Sequence, residues 1–140
     1  MGVLDTEDLL HYCEDQWHSV RDVAYESLSS RAAAEPNLFK SLLARIKVGL
    51  EPYDLSIAVN LLYALLKLPI DVLRVVESNL VELGESEIPA IRDVIASSLT
   101  SEWVPREMAM EMANEWLSDP DPSVRSSATK ALRLLNVSLD

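Results

Sequence analysis

At 140 residues, 49% hydrophobic and 25% charged, the chain carries enough apolar side chains for one continuous core and reads as a single domain, residues 1–140. Its formal charge of −11 argues against DNA, RNA or an anionic membrane as a partner, and its one cysteine, Cys13, excludes an internal disulfide and a multi-cysteine zinc site. The longest apolar run, within Leu55 to Leu68, is interrupted by Ser56, Asn60 and Lys67 and falls short of the ~20 residues of a membrane span, so a cytoplasmic protein is expected.

Asp5 or Thr6 can cap a first short helix whose apolar positions are Leu9, Leu10, Tyr12 and Cys13, with Glu7 and Asp8 suited to its positive N-terminal end. Met1-Gly2 with Thr6 fits a short myristoylation pattern, but so brief a match arises by chance and the acids that follow would repel an anionic bilayer. A second helix is expected from about Trp17 to Ala34, with Val20, Val23, Ala24 and Leu28 on one face. Glu35-Pro36 ends it, because the residue before a proline is pushed out of helical geometry. Leu38, Leu42, Leu43 and Ile46 make a third helix that stops by Gly49. The fourth, Pro52 to Leu68, is apolar almost all round and should be buried on several sides.

A fifth helix runs from Asp71 through Val72, Leu73, Val76, Leu80, Val81 and Leu83 to Gly84. Ser86 or Glu87 begins the sixth, with Pro89 in its first turn, where proline is tolerated. Pro105 opens the seventh, with Met108, Met112, Ala113, Trp116 and Leu117 as core candidates. Asp121-Pro122 starts the eighth: the aspartate can accept from a free N–H of the first turn, and proline there loses no bond it would have made. Val124, Ala128, Ala131, Leu132 and Leu135 then recur at helical spacing.

This last stretch has three echoes. Aligned at Arg21, Ser56, Arg92 and Arg125, the copies lie 35, 36 and 33 residues apart, and VRDVAYESL and IRDVIASSL (Ile91 to Leu99) are the clearest of them. So regular a period predicts an array of helical hairpins, roughly 5–34, 36–68, 70–101 and 104–136, each able to bury its apolar face only against the next. The pattern D-x-x-V-R-x-x-A-x-x-x-L resembles the second helix of a HEAT repeat in its short bacterial form; tetratricopeptide and ankyrin signatures are not found. The resemblance implies an all-α, right-handed α-α superhelix of about four stacked hairpins, eight helices in all. It further implies a ladder in which the repeat arginine pairs with an acidic residue of the preceding turn, in its own or the neighbouring repeat. Arg21, Arg92 and Arg125 have Asp15, Glu87 and Asp121 as upstream candidates, whereas Ser56 breaks the ladder.

Catalytic signatures are missing: there is no glycine-rich phosphate loop, no G-x-S-x-G and no H-E-x-x-H. His11 and Asp15, one helical turn apart near Cys13 and His18, could make no more than a weak surface metal site, and neither metal nor cofactor is expected. Charge is distributed in blocks: residues 1–35 balance to −6, 36–75 to +2, 76–122 to −9 and 123–140 to +2. Glu107, Glu111 and Glu115 step by four along one face of the seventh helix without a lysine at that spacing. With Asp22, Glu26 and Asp93 they are the candidate partner-binding residues of a monomeric, non-catalytic module that attracts a basic protein. A bacterial immunity or antitoxin-like protein, covering the basic cleft of a nuclease toxin, is one such role. Two alternatives belong to other classes: a structural subunit docking through Met108, Met110, Met112 and Trp103, and a small-molecule or lyase-like protein built around His11, Cys13 and Asp15.

Overall fold

Caps and prolines set most helix limits in the computed structural model, which describes residues 5–137. Asp5 closes a capping box with Asp8 at the start of α1 (Thr6–Tyr12). α2 (His18–Ala34) ends at Glu35, and Pro36 occupies the first turn of α3 (Pro36–Lys47). Gly49, at φ 97, and Leu50, at φ 58, turn the chain beyond α3, and the Asp54 side chain accepts from Ser56 N–H to start α4 (Leu55–Leu66). The helix expected from Asp71 to Gly84 is two: α5 (Ile70–Val75) and α6 (Glu77–Leu83) meet at Val76, whose backbone leaves helical geometry at φ −111, ψ 22. Pro89 opens α7 (Pro89–Ser97), Pro105 caps α8 (Arg106–Trp116), and Pro122 begins α9 (Pro122–Val137). The described residues are thus all-helical, with nine helices and no strand.

The helices sort into two runs of neighbours. α2 packs on α4, α4 on α7 and α7 on α9, so the second helix of each expected hairpin touches the second helix of the next. α1 lies against α2, α3 against α2, α4 and α6, α6 against α7, and α8 against α7 and α9. One apolar cluster extends through the whole set, from Leu9 and Leu10 to Ala131 and Leu135. At its middle α4 buries Ile57, Ala58, Leu61, Leu62 and Leu65, although Leu55 and Tyr63 on its other side are exposed.

Trp103 is fully buried before α8, its Nε1 donating to the Ser98 carbonyl and hydroxyl at 3.1 and 3.0 Å. That removes it from the apolar docking patch expected with the methionines; Met110 and Met112 pack partly against the core and Met108 remains exposed. Leu117, expected in the core, is exposed past the end of α8. Val23 likewise faces solvent, whereas Ile91 and Val124 are buried.

Candidate binding surface

The repeated arginines are held first by backbone. Arg21 Nη1 donates to the Asp15 and Gln16 carbonyls at 2.9 and 3.3 Å, Arg92 Nη1 to the Ser86 carbonyl at 2.8 Å, and Arg125 Nη1 to the Asp119 and Pro120 carbonyls at 2.7 and 3.1 Å. Each of these three guanidiniums closes on a carbonyl six residues upstream, in the turn between two consecutive packed helices. The residue that supplies this carbonyl also folds the turn with its side chain. Asp15 Oδ1 accepts from Trp17 N–H, Ser86 Oγ from Ile88 N–H and Asp119 Oδ1 from Asp121 N–H, at 2.8 to 3.1 Å.

The carboxylate partners differ from the upstream candidates. Arg92 passes over Glu87, which is exposed, and takes Asp119 of the following hairpin bidentately, with its Nε 2.9 Å from Oδ2 and its Nη2 3.0 Å from Oδ1. Asp121 serves the helix instead: its Oδ1 accepts from Ser123 and Val124 N–H at 2.9 and 3.2 Å. Asp15 offers Arg21 its carbonyl, and Arg21 Nη2 lies 3.0 Å from His18 Nδ1. No carboxylate of the second hairpin stands where Asp119 stands for Arg92, because the matching residue is Leu50, which is buried. The Asp119 carboxyl is held below its ordinary range, chiefly by the hydrogen bond from Arg92, with burial opposing.

Arg21 therefore faces an open groove of about 560 Å³ between α2 and α4, walled by Tyr25, Asn60, Tyr63 and Lys67 and rimmed by Asp22 and Glu26. Both of these acids are exposed. Asp93 on α7 is not in that position, since its Oδ1 accepts from the Ser127 hydroxyl of α9. Glu107, Glu111 and Glu115 are exposed along α8, in a helix that does not belong to the α2, α4, α7, α9 run. Ion pairs among the described residues engage Glu7, Glu14 and Asp119, so none neutralises this strip.

The His11, Cys13 and Asp15 cluster does not converge. His11 pairs with Glu14 at 3.6 Å and sets its ring edge-on to Tyr53, while the Cys13 side chain is buried and its thiol is pushed up to about 11 by that burial. No group of three His, Cys, Asp or Glu among the described residues could hold a metal ion. No helix among them is long and apolar enough to cross a membrane.

Sequence offers no sign of two further contacts. Tyr53 donates its hydroxyl to Glu7 Oε2 at 2.7 Å, and Arg45 closes on Glu7 Oε1 at 2.6 Å, tying α1 to the end of α3 and the turn after it. These residues lie 38 and 46 positions apart, beyond the reach of any local pattern. Comparison of the chain with protein-family models, curated proteins and solved structures finds no match.

Proposed function

We propose that this chain is a HEAT-like stack of four hairpins, forming a right-handed superhelix, that works as a non-catalytic protein-binding module for a basic protein partner. The architectural half of this reading is supported by the unbroken order of neighbours α2, α4, α7 and α9 and by the arginine that closes on the same upstream carbonyl in three of the four repeats. The functional half is carried by one observation: Glu107, Glu111 and Glu115 lie exposed on a single helix, and none of them enters an ion pair among the described residues. Like charges at that spacing cost helix stability, so a strip that keeps them is suited to steering a positive surface toward it. An immunity-like or antitoxin-like role against a basic enzyme is the narrower form of the same proposal.

Affinity capture from a lysate on the wild-type protein and on a Glu107→Lys, Glu111→Lys, Glu115→Lys variant, each at low and high salt, tests the reading. A basic protein retained by the wild type at low salt, and lost both in the variant and at high salt, is the expected result. Retention indifferent to salt and to the charge reversal would remove the electrostatic basis.

The groove between α2 and α4 favours a second reading, a small-molecule or lyase-like protein. Ser29 Oγ on its wall is buried without a hydrogen-bond partner, and Arg21, Tyr25, Asn60 and Lys67 converge there with mixed polarity. A thermal-shift screen with small-molecule panels bears on it, and an unshifted melting temperature throughout would count against it.

A further inference from the structure

The two ends of the described stack carry the two halves of the Arg92–Asp119 junction. Arg125 is seated on backbone carbonyls as Arg92 is, but it is exposed and no hairpin follows α9 among the described residues to bring a carboxylate to its remaining N–H groups. Asp15 is seated as Asp119 is, with Oδ1 on the N–H two residues ahead and its carbonyl on the arginine six ahead, but among the described residues no arginine reaches its carboxylate. Each end thus presents what the other lacks.

The apolar surroundings agree with this pairing. Aligned on Arg21 and Arg125, Tyr12 falls on Trp116, Val20 on Val124 and Val23 on Ser127. In the last hairpin these positions meet the hairpin before: Trp116 lies against Gly84 at the end of α6, and Ser127 bonds Asp93 of α7. In the first hairpin the same positions are open. Tyr12 is 44% and Val23 61% exposed, and with Leu9, Val20 and Ala24 they line an apolar groove of about 400 Å³. At the other end Leu117, which aligns with Gly84 when Arg125 is set on Arg92, is 41% exposed, in the place where Tyr12 of a following hairpin would land.

We infer that the occupant of the groove is a second copy of this chain, stacked head to tail so that Arg125 of one copy takes the Asp15 carboxylate of the next. Such an interface is heterologous and does not close on itself, so association is concentration-dependent and open-ended, with the monomer dominant when dilute. It rests on the register of the observed hydrogen bonds, independently of any partner of the acidic strip.

Sedimentation velocity from micromolar to near-millimolar concentration tests it, using the wild type, Arg125→Glu, Val23→Arg and Asp15→Asn, each checked for helical content by circular dichroism. The wild-type mass is expected to rise above 15.6 kDa in successive multiples. Arg125→Glu and Val23→Arg each stay monomeric alone, yet their mixture gives a heterodimer and nothing larger, because each retains one intact end. Asp15→Asn keeps the turn and weakens association about tenfold, the scale of a lost charge-assisted pair. A wild type that stays at 15.6 kDa at the highest concentration, or folded Arg125→Glu and Val23→Arg that do not rescue one another, would overturn the inference.

Discussion

Arg92 and Asp119, 27 residues apart in the chain, meet through two parallel hydrogen bonds of 2.9 and 3.0 Å, with side chains 13% and 7% exposed. A fork-to-carboxylate pair this sheltered from water leaves a buried, uncompensated charge when one partner is removed. Arg92→Ala is therefore expected to lower stability by about 3 kcal/mol. Arg92→Lys should recover only part of that loss, since an ammonium cannot span both oxygens and the Ser86 carbonyl together. Urea denaturation of the three proteins decides the order.

The same pair gives stability a pH dependence. Asp119 has its folded pKa depressed below the unfolded value of about 3.9, so the folded state binds fewer protons. Its contribution is complete above about pH 4 and is lost as pH falls through the folded pKa. The stability difference between wild type and Asp119→Asn, followed by urea titration, is expected to be constant near neutrality and to shrink on acidification. A difference that does not change with pH would separate Asp119 from this linkage.

Gly84 sets two small effects against each other. Alanine is better than glycine in a helical turn by up to ~1 kcal/mol, but a Cβ at position 84 would stand 2.7 Å from Trp116 Cζ2 and 3.0 Å from Cη2. A rigid indole cannot yield as a flexible chain end does, and overpacking of this kind costs about 1 to 3 kcal/mol. Gly84→Ala should be net destabilising and should shift Trp116 fluorescence, with Trp116→Leu relieving the penalty.

On α8 the expectation runs the other way. Glu111→Lys removes two like-charge neighbours at the i, i+4 spacing and creates two favourable pairs, with Glu107 and Glu115, which should raise stability by about 1 kcal/mol. Capture of a basic partner should weaken in the same variant. A more stable protein that binds unchanged would detach the strip from recognition.

Cys13 is expected to be unreactive. Its thiol, pushed up to about 11 mainly by burial, stays protonated where an unfolded cysteine with a pKa near 8.5 has begun to ionise. Alkylation at mildly alkaline pH should be slow in the folded protein and rapid in urea, and stability should decline as pH climbs from about 8.5 toward about 11.

Helix positions were legible wherever a proline or a capping side chain marks them. Asp5, Pro36, Pro89 and Pro122 lie where local chemistry puts them. The break at Val76 carries no such mark: the preceding Val75 is β-branched too, but neither stops a helix unaided, and the bend places Val76 at full burial in the core. The arginines stood out by period, yet their partners did not, because a carbonyl can be supplied by any residue type and Asp119 belongs to the next hairpin. Val23 misled for a related reason. Helical spacing says which residues share a face, and whether another hairpin covers that face is decided outside the helix.

Asp15, Ser86 and Asp119 each fold their turn in the same way. Serine suffices there, so bending the chain needs only an acceptor oxygen, and the second carboxylate oxygen of an aspartate is left over for a neighbour. Arg92 takes that second oxygen, Oδ2, and shares Oδ1 with the Asp121 N–H, whereas Ser86 has no second oxygen to offer. Shape thus rests on one oxygen and cohesion on two, so a change from aspartate to serine at this position loosens the joint to the preceding helices without altering the path of the backbone.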